Sequence, residues 1–214
     1  MQYRFEEYFV KVILENCFPD KLAGLTVNDK PDLWNKNKIG IEVTNCMPQE
    51  VVEQIHLWHR ISKSGTKNQE RNIGRLKQLG MEYSEGSFVW DQGHYSSNID
   101  ESPIKYFLDA VEKKVKKLNN DNSHYMSMES YELFVNSFIF IPPKQMGEVM
   151  ARLKTINSLL KKFDIIYLLT NEQKLLIFDM QEFTWQVLYL YNRLDFWAKQ
   201  AQQICIGEKG KGNS

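Results

Sequence analysis

At 214 residues the chain has the length of one domain, large enough to bury a core without disulfides or a structural metal. Its 27 Lys and Arg balance its 27 Asp and Glu, which excludes bulk positive charge as a basis for nucleic-acid binding and requires any such site to be a local patch. Cys17, Cys46 and Cys205 are odd in number and far apart, which fits neither a disulfide framework nor a paired Cys-x-x-Cys zinc site; buried, inert thiols are expected. No leader pattern opens the sequence and no apolar run approaches the roughly 18 residues of a spanning helix, so a cytoplasmic protein is expected.

In chain order, Phe5, Phe9, Val12 and Ile13 recur at helical spacing and predict a helix over 3–17, closed by Phe18-Pro19-Asp20. Glu6 has Phe9, Val10 and Ile13 at plus three, four and seven and borders the apolar stripe, whereas Glu7 faces water more freely. Glu6 is either a solvated carboxylate near the helix N-terminus or a contributor to a site. Residues 21–28 link this helix to Pro31-Asp32-Leu33-Trp34, a short strand, and the polar run Asn35 to Lys38 reads as a turn. Ile39, Ile41 and Val43 then alternate with Gly40, Glu42 and Thr44, giving a strand with one apolar face and Glu42 on the other. Asp32 and Glu42 meet at one end of this hairpin. Two converging carboxylates repel unless a cation or proton sits between them, and a hard divalent ion such as Mg2+ is the usual solution.

A helix is predicted from Gln49 to about Ser62. It carries His56 and His59, which lack the third and fourth ligands of a zinc site. Arg60, Lys63, Lys67, Arg71, Arg75 and Lys77 against Glu70 form a first basic patch, suited either to phosphates or to a solvated helix face. Residues 81–102 read as a long loop with one short strand, whose Trp90 and Tyr95 either stack on bases or cover a core edge.

Pro103 to Leu118 predicts a cleaner helix with Ile104, Phe107, Leu108, Val111, Val115 and Leu118 as its stripe. Lys113, Lys114, Lys116 and Lys117 form a second basic patch. The Lys114 stem borders the stripe while its ammonium reaches outward. A core strand over Tyr131–Ile141, a helix from Gln145 to about Phe163, strands over 165–169 and 175–178, and a strand followed by a helix over 183–206 complete the chain. A disordered tail is expected over 207–214. The expected fold is a single α/β domain over 1–206, a mixed central sheet flanked by helices.

Pro31-Asp32, a hairpin and an apolar strand carrying Glu42 resemble the PD-(D/E)xK, or restriction-endonuclease-like, nuclease superfamily, in a variant with Thr44 at the position of the strand lysine. In parts of that superfamily the lysine has moved onto the following helix, and the run Ala110 to Leu118 looks like such a case, with Lys114 the first choice and Lys117 the second. The resemblance spans residues 5–140, leaves the C-terminal third outside as an extension, and implies a core of helix, three strands, helix and strand. It implies a metal-dependent endonuclease in which Asp32, Glu42 and the Val43 carbonyl hold Mg2+ or Mn2+. Glu6 holds a second ion or a metal-bound water, and Lys114 stabilises the developing charge. Arg71, Arg75, Lys77 and Lys117 are the residues expected on nucleic acid, DNA rather than RNA. The family suggests a setting in phage defence or DNA processing; the sequence leaves the oligomeric state open, a homodimer being one expectation. The alternative is a catalytically inactive relative that binds nucleic acid or another protein. A third reading makes Asp32 a turn residue and Glu42 an edge-strand charge in an unrelated domain.

Overall fold

A computed structural model of the chain describes residues 5–46, 53, 57, 61, 69–79, 82–84, 87–89, 103–120, 124–137, 139–170 and 172–211. The span expected to be one domain divides into two compact units, one of Met1–Cys46 with Pro103–Ser214 and one of Met47–Ser102.

The first unit opens with α1 (Phe5–Cys17), a single turn α2 (Pro19–Leu22) and three strands, β1 (Thr26–Val27), β2 (Leu33–Trp34) and β3 (Ile39–Cys46). After α4 (Ile104–Leu118) come β6 (Ser130–Ser137), α5 (Met146–Ile156), β7 (Ile165–Leu169), β8 (Lys174–Asp179), β9 (Thr184–Tyr189) and α6 (Leu194–Lys211). The described strands of this unit form one seven-stranded sheet in the order β1-β2-β3-β6-β7-β8-β9. β3, β6 and β7 run parallel, and the pairings on either side of them are antiparallel. The mixed α/β class expected from the sequence is thus present, as a sheet flanked by helices on both faces.

Strand alternation decides what each face carries. Ile39, Ile41 and Val43 of β3 join Phe134, Tyr167, Leu169, Leu175 and Ile177 in a core with α1 and α6. Gly40, Glu42 and Thr44 point to the other face, which α4 and α5 cover. All six apolar residues predicted for α4 are buried there, with Phe107 stacked on Phe178 of β8 at 5.8 Å. Full burial of a side chain of this size contributes roughly 1.5–3 kcal/mol, so the stripe holds α4 against the sheet in one rotational setting. That setting fixes which lysines face β3.

The α1 face contains a second buried acid. Glu132, paired in register with Ile41, is fully buried; its Oε1 lies 2.6 Å from Lys21 Nζ and its Oε2 accepts the Tyr167 hydroxyl at 2.9 Å. Burial pushes both the Glu132 carboxyl and the Tyr167 phenol above their usual values, while Lys21 pulls Glu132 back down. The pair ties the short turn α2 to the sheet.

Several element ends differ from the sequence reading. The helix expected to reach Phe163 stops at Ile156, because the Asn157 amide bonds both backbone groups of Phe163, donating to its carbonyl at 2.7 Å and accepting its N–H at 2.9 Å. Leu159 and Leu160, read as part of the apolar stripe, are 45% and 96% exposed. The core strand ends at Ser137 instead of Ile141. The tail is helical as far as Lys211 despite Gly207 and Gly210, each of which costs only about 1 kcal/mol relative to Ala in a helix.

The second unit is described by its own elements. Its helix α3 (Gln69–Gln78) buries Leu76 against Leu57, with Ile61 and Leu79 packed alongside. The segment read as holding one strand forms two, β4 (Glu82–Ser84) and β5 (Ser87–Val89), paired antiparallel. His56, His59, Arg60, Lys63, Lys67, Trp90 and Tyr95 lie outside the described residues.

Candidate active site

Asp32 directly precedes β2, and the β2–β3 register, Leu33 opposite Ile41, brings it alongside Glu42 on the α4 side of the sheet. The Asn35 side chain sets the turn between the strands: its Oδ1 accepts the N–H groups of Asn37 and Ile39 at 3.1 and 3.2 Å. Asp32 is fixed in turn by the Val43 N–H, which donates to its Oδ2 at 2.8 Å. Gly40 makes this approach possible. A Cβ there would lie 2.8 Å from Pro31 Cγ and 2.8 Å from Met128 Cγ, so only glycine lets the Pro31 ring, and with it Asp32, settle on the strand. Gly40→Ala is expected to cost roughly 1–3 kcal/mol in a urea unfolding series through overpacking; an unchanged midpoint would mean that Pro31 and Met128 give way freely.

Lys114 of α4 closes the site. Its ammonium is 2.7 Å from Glu42 Oε2 and 3.6 Å from Asp32 Oδ2, with Glu42 fully buried and the Lys114 side chain 14% exposed. Lys117, one turn on and about half exposed, reaches the same Glu42 oxygen at 3.7 Å. Both cations therefore address Oε2, and Glu42 Oε1 is buried without a hydrogen-bond partner. Thr44 follows Glu42 on the same face of the strand, so the positive charge that β3 lacks is supplied from α4.

Burial, then the neighbouring Glu42, push the Asp32 carboxyl above its ordinary value, against the lowering pull of Lys114, the Val43 N–H and Lys117. A carboxyl raised in the folded state favours folding in its protonated form. Its contribution is fully present below the unfolded value and is lost as pH rises through the folded one, so at neutral pH ionised Asp32 is a net cost. Asp32→Asn, which keeps an acceptor for the Val43 N–H, is expected to melt above wild type at pH 7 in a chelator. The gap should shrink as the pH is lowered to about 4. A variant melting below wild type at pH 7 would show that Lys114 attraction outweighs both costs.

Comparison with protein-family models, curated proteins and solved structures found no match to this chain. Among the described residues no group of three or more His, Cys, Asp or Glu side chains converges as a metal would require of side chains alone. What converges is two carboxylates, with the Val43 main chain bonded to one of them. These are hard oxygen donors, the chemistry that Mg2+ or Mn2+ takes. The donor set fits such an ion.

Of the residues singled out from sequence, Asp32, Glu42, Val43, Lys114 and Lys117 come together. Glu6 does not join them. It is exposed, more so than Glu7, and its Oε2 accepts the Asn45 amide at 2.8 Å. Asn45 has the parity of Val43 and lies on the face of β3 opposite Glu42. Arg71, Arg75 and Lys77 lie on α3 in the second unit, where Arg75 is held by Glu53 in a two-point pair at 2.8 and 3.0 Å, an engagement that keeps the Glu53 carboxyl below its usual range.

One residue of the site escaped the sequence reading. Tyr125 sits in the segment before β6, and its hydroxyl is buried against Glu42. Burial first, then Glu42 and Asp32, hold the phenol firmly protonated by raising its pKa. Lys117 Nζ lies 5.7 Å from the centre of its ring. No periodicity marks a tyrosine in a connecting segment; the hydrogen bond from the Met126 N–H to the Lys30 carbonyl at 3.3 Å shows that the segment runs along the Asp32 loop.

Proposed function

We propose that this chain is a metal-dependent nuclease of the PD-(D/E)xK kind, acting on phosphodiester bonds, with its catalytic lysine carried by α4 instead of by the Glu42 strand. The observation that supports the reading is the Lys114 ammonium, set between a carboxylate from the β2 hairpin and one from β3 at 3.6 and 2.7 Å. With the turn α2 and the second unit's α3, β4 and β5 set aside, the remaining order α1, β1, β2, β3, α4, β6, with β3 and β6 parallel, is compatible with the helix, three strands, helix and strand that the resemblance implies.

Asp32, Glu42 and the Val43 carbonyl would hold Mg2+ or Mn2+. When bound, such an ion lowers the pKa of water and polarises a phosphoryl oxygen. The protein's part is positional and electrostatic. The Val43 N–H keeps Asp32 from rotating away, and the buried Glu42 is held by Lys114. The Lys114 ammonium supplies positive charge where negative charge develops during in-line attack, in a site shielded enough for that charge to act strongly. Lys117, on the solvent side, is placed to meet a phosphate of the substrate. DNA is the expected substrate, with RNA as the alternative.

The test incubates the full-length protein with single- and double-stranded DNA and RNA in Mg2+, Mn2+ or chelator. Metal-dependent cleavage supports the nuclease reading. Retention of nucleic acid without cleavage in any metal would instead assign the inactive, binding relative.

A further inference from the structure

Resting on the metal-site reading, we propose that Tyr125 is a positioning residue, whose hydroxyl donates to Glu42 and determines which carboxylate oxygen is offered to the ion. The two lysines make Glu42 asymmetric: Lys114 at 2.7 Å and Lys117 at 3.7 Å both take Oε2 and leave Oε1 buried and unpartnered. The Tyr125 hydroxyl, a donor as well as an acceptor, is buried against the same carboxylate and has no other hydrogen-bond partner. Two buried polar groups that face each other, each without any other hydrogen-bond partner, leave the hydroxyl-to-carboxylate bond as the pairing open to both. An ion at the carboxylates competes with Lys114 for Glu42, and a carboxylate that loses a cationic hydrogen bond needs another donor to keep its orientation. The phenol is the neutral group in place to provide it.

The segment carrying Tyr125 is built to hold such a position. Tyr125 packs edge-on against Tyr131 at 6.4 Å, and the Tyr131 hydroxyl donates to the Met126 carbonyl at 2.7 Å. The Met126 N–H donates to the Lys30 carbonyl, one residue before Pro31-Asp32. Met128 lies against Gly40 on the Glu42 strand. The hydroxyl is thus tied through a few bonds to both carboxylate-bearing segments. Because it is buried, it acts on Glu42 and not on substrate.

The experiment titrates full-length wild type, Tyr125→Phe and Glu42→Gln with Mn2+ by calorimetry, alongside melting curves in chelator. Phenylalanine keeps the ring and its packing and removes only the hydroxyl. Groups that orient a metal ligand through a hydrogen bond typically change metal affinity by roughly 10–100-fold. Tyr125→Phe is therefore expected to bind Mn2+ about tenfold more weakly than wild type while melting at the wild-type temperature in chelator. Equal Mn2+ affinity of the two proteins would overturn the role of Tyr125 and leave the metal site standing. A drop in melting temperature without metal that accounts for the weaker binding would overturn it in favour of packing. Failure of wild type to bind Mn2+ more tightly than Glu42→Gln would overturn the metal site and the Tyr125 proposal together.

Discussion

Lys114→Met is expected to lower the stability of the metal-free protein by roughly 3–5 kcal/mol, the usual cost of removing one partner from a buried ion pair. Methionine preserves most of the aliphatic stem along the α4 stripe, so lost packing contributes little. What remains is Glu42, fully buried, with its nearest cation removed from 2.7 Å. Lys117 stands 3.7 Å away, but it is about half exposed and its attraction is screened by solvent. The measurement is the urea midpoint in chelator, read with an unchanged m-value so that the difference reports stability and not a change of state. A shift below about 1 kcal/mol would show that Lys117 moves in to replace Lys114.

On the proposed nuclease reading, Glu42→Gln is expected to lower metal-dependent cleavage by a few hundredfold or more in kcat/KM. That corresponds to about 3–4 kcal/mol of transition-state stabilisation at 1.36 kcal/mol per factor of ten. The amide keeps the shape of the side chain and an oxygen that accepts from Lys114, so the fold should persist. It removes one of two anionic donors, and Lys114 loses the charge that balances it. Circular dichroism confirms folding, and cleavage is compared in Mg2+ and Mn2+. Retained metal-dependent activity would exclude Glu42 from the chemistry and, with it, the active site described above.

The parts of this site visible in the sequence were those governed by a strict period. The alternation from Ile39 to Thr44 separated Glu42 from the apolar face, and the spacing of Val111, Val115 and Leu118 put the Lys114 stem at the border of the buried stripe. Both positions follow from backbone geometry alone. Helical spacing leaves Glu6 open between a solvated carboxylate and a site residue, because it reports how near a residue lies to the apolar stripe, not which face of the sheet the helix covers. α1 packs on the Val43 face, and Glu6 follows it there to Asn45. Glu132 was hidden inside an apolar run, since a buried acid satisfied by Lys21 and Tyr167 leaves no interruption in the pattern. Tyr125 and the Gly40 contact depend on a connecting segment whose path is set by hydrogen bonds to distant main chain, and single-sequence periodicity carries no record of those. The end of α5 shows the same limit in reverse: Leu159 and Leu160 continue the helical spacing by chance, while Asn157 has already closed the helix.

Lys114 and Glu42 are 72 residues apart in sequence, and the whole Met47–Ser102 unit lies between the strand that carries one and the helix that carries the other. The parallel pairing of β3 with β6 spans a similar distance, from Ile39 to Ser130. Contacts of such separation form late and slowly, because the intervening chain loses freedom before the contact repays it. The cost rises only with the logarithm of the loop length, about 0.6 kcal/mol per doubling. The length of the inserted unit is therefore a control on how fast this protein folds, and is nearly independent of how strongly the lysine holds the carboxylates once folding is complete.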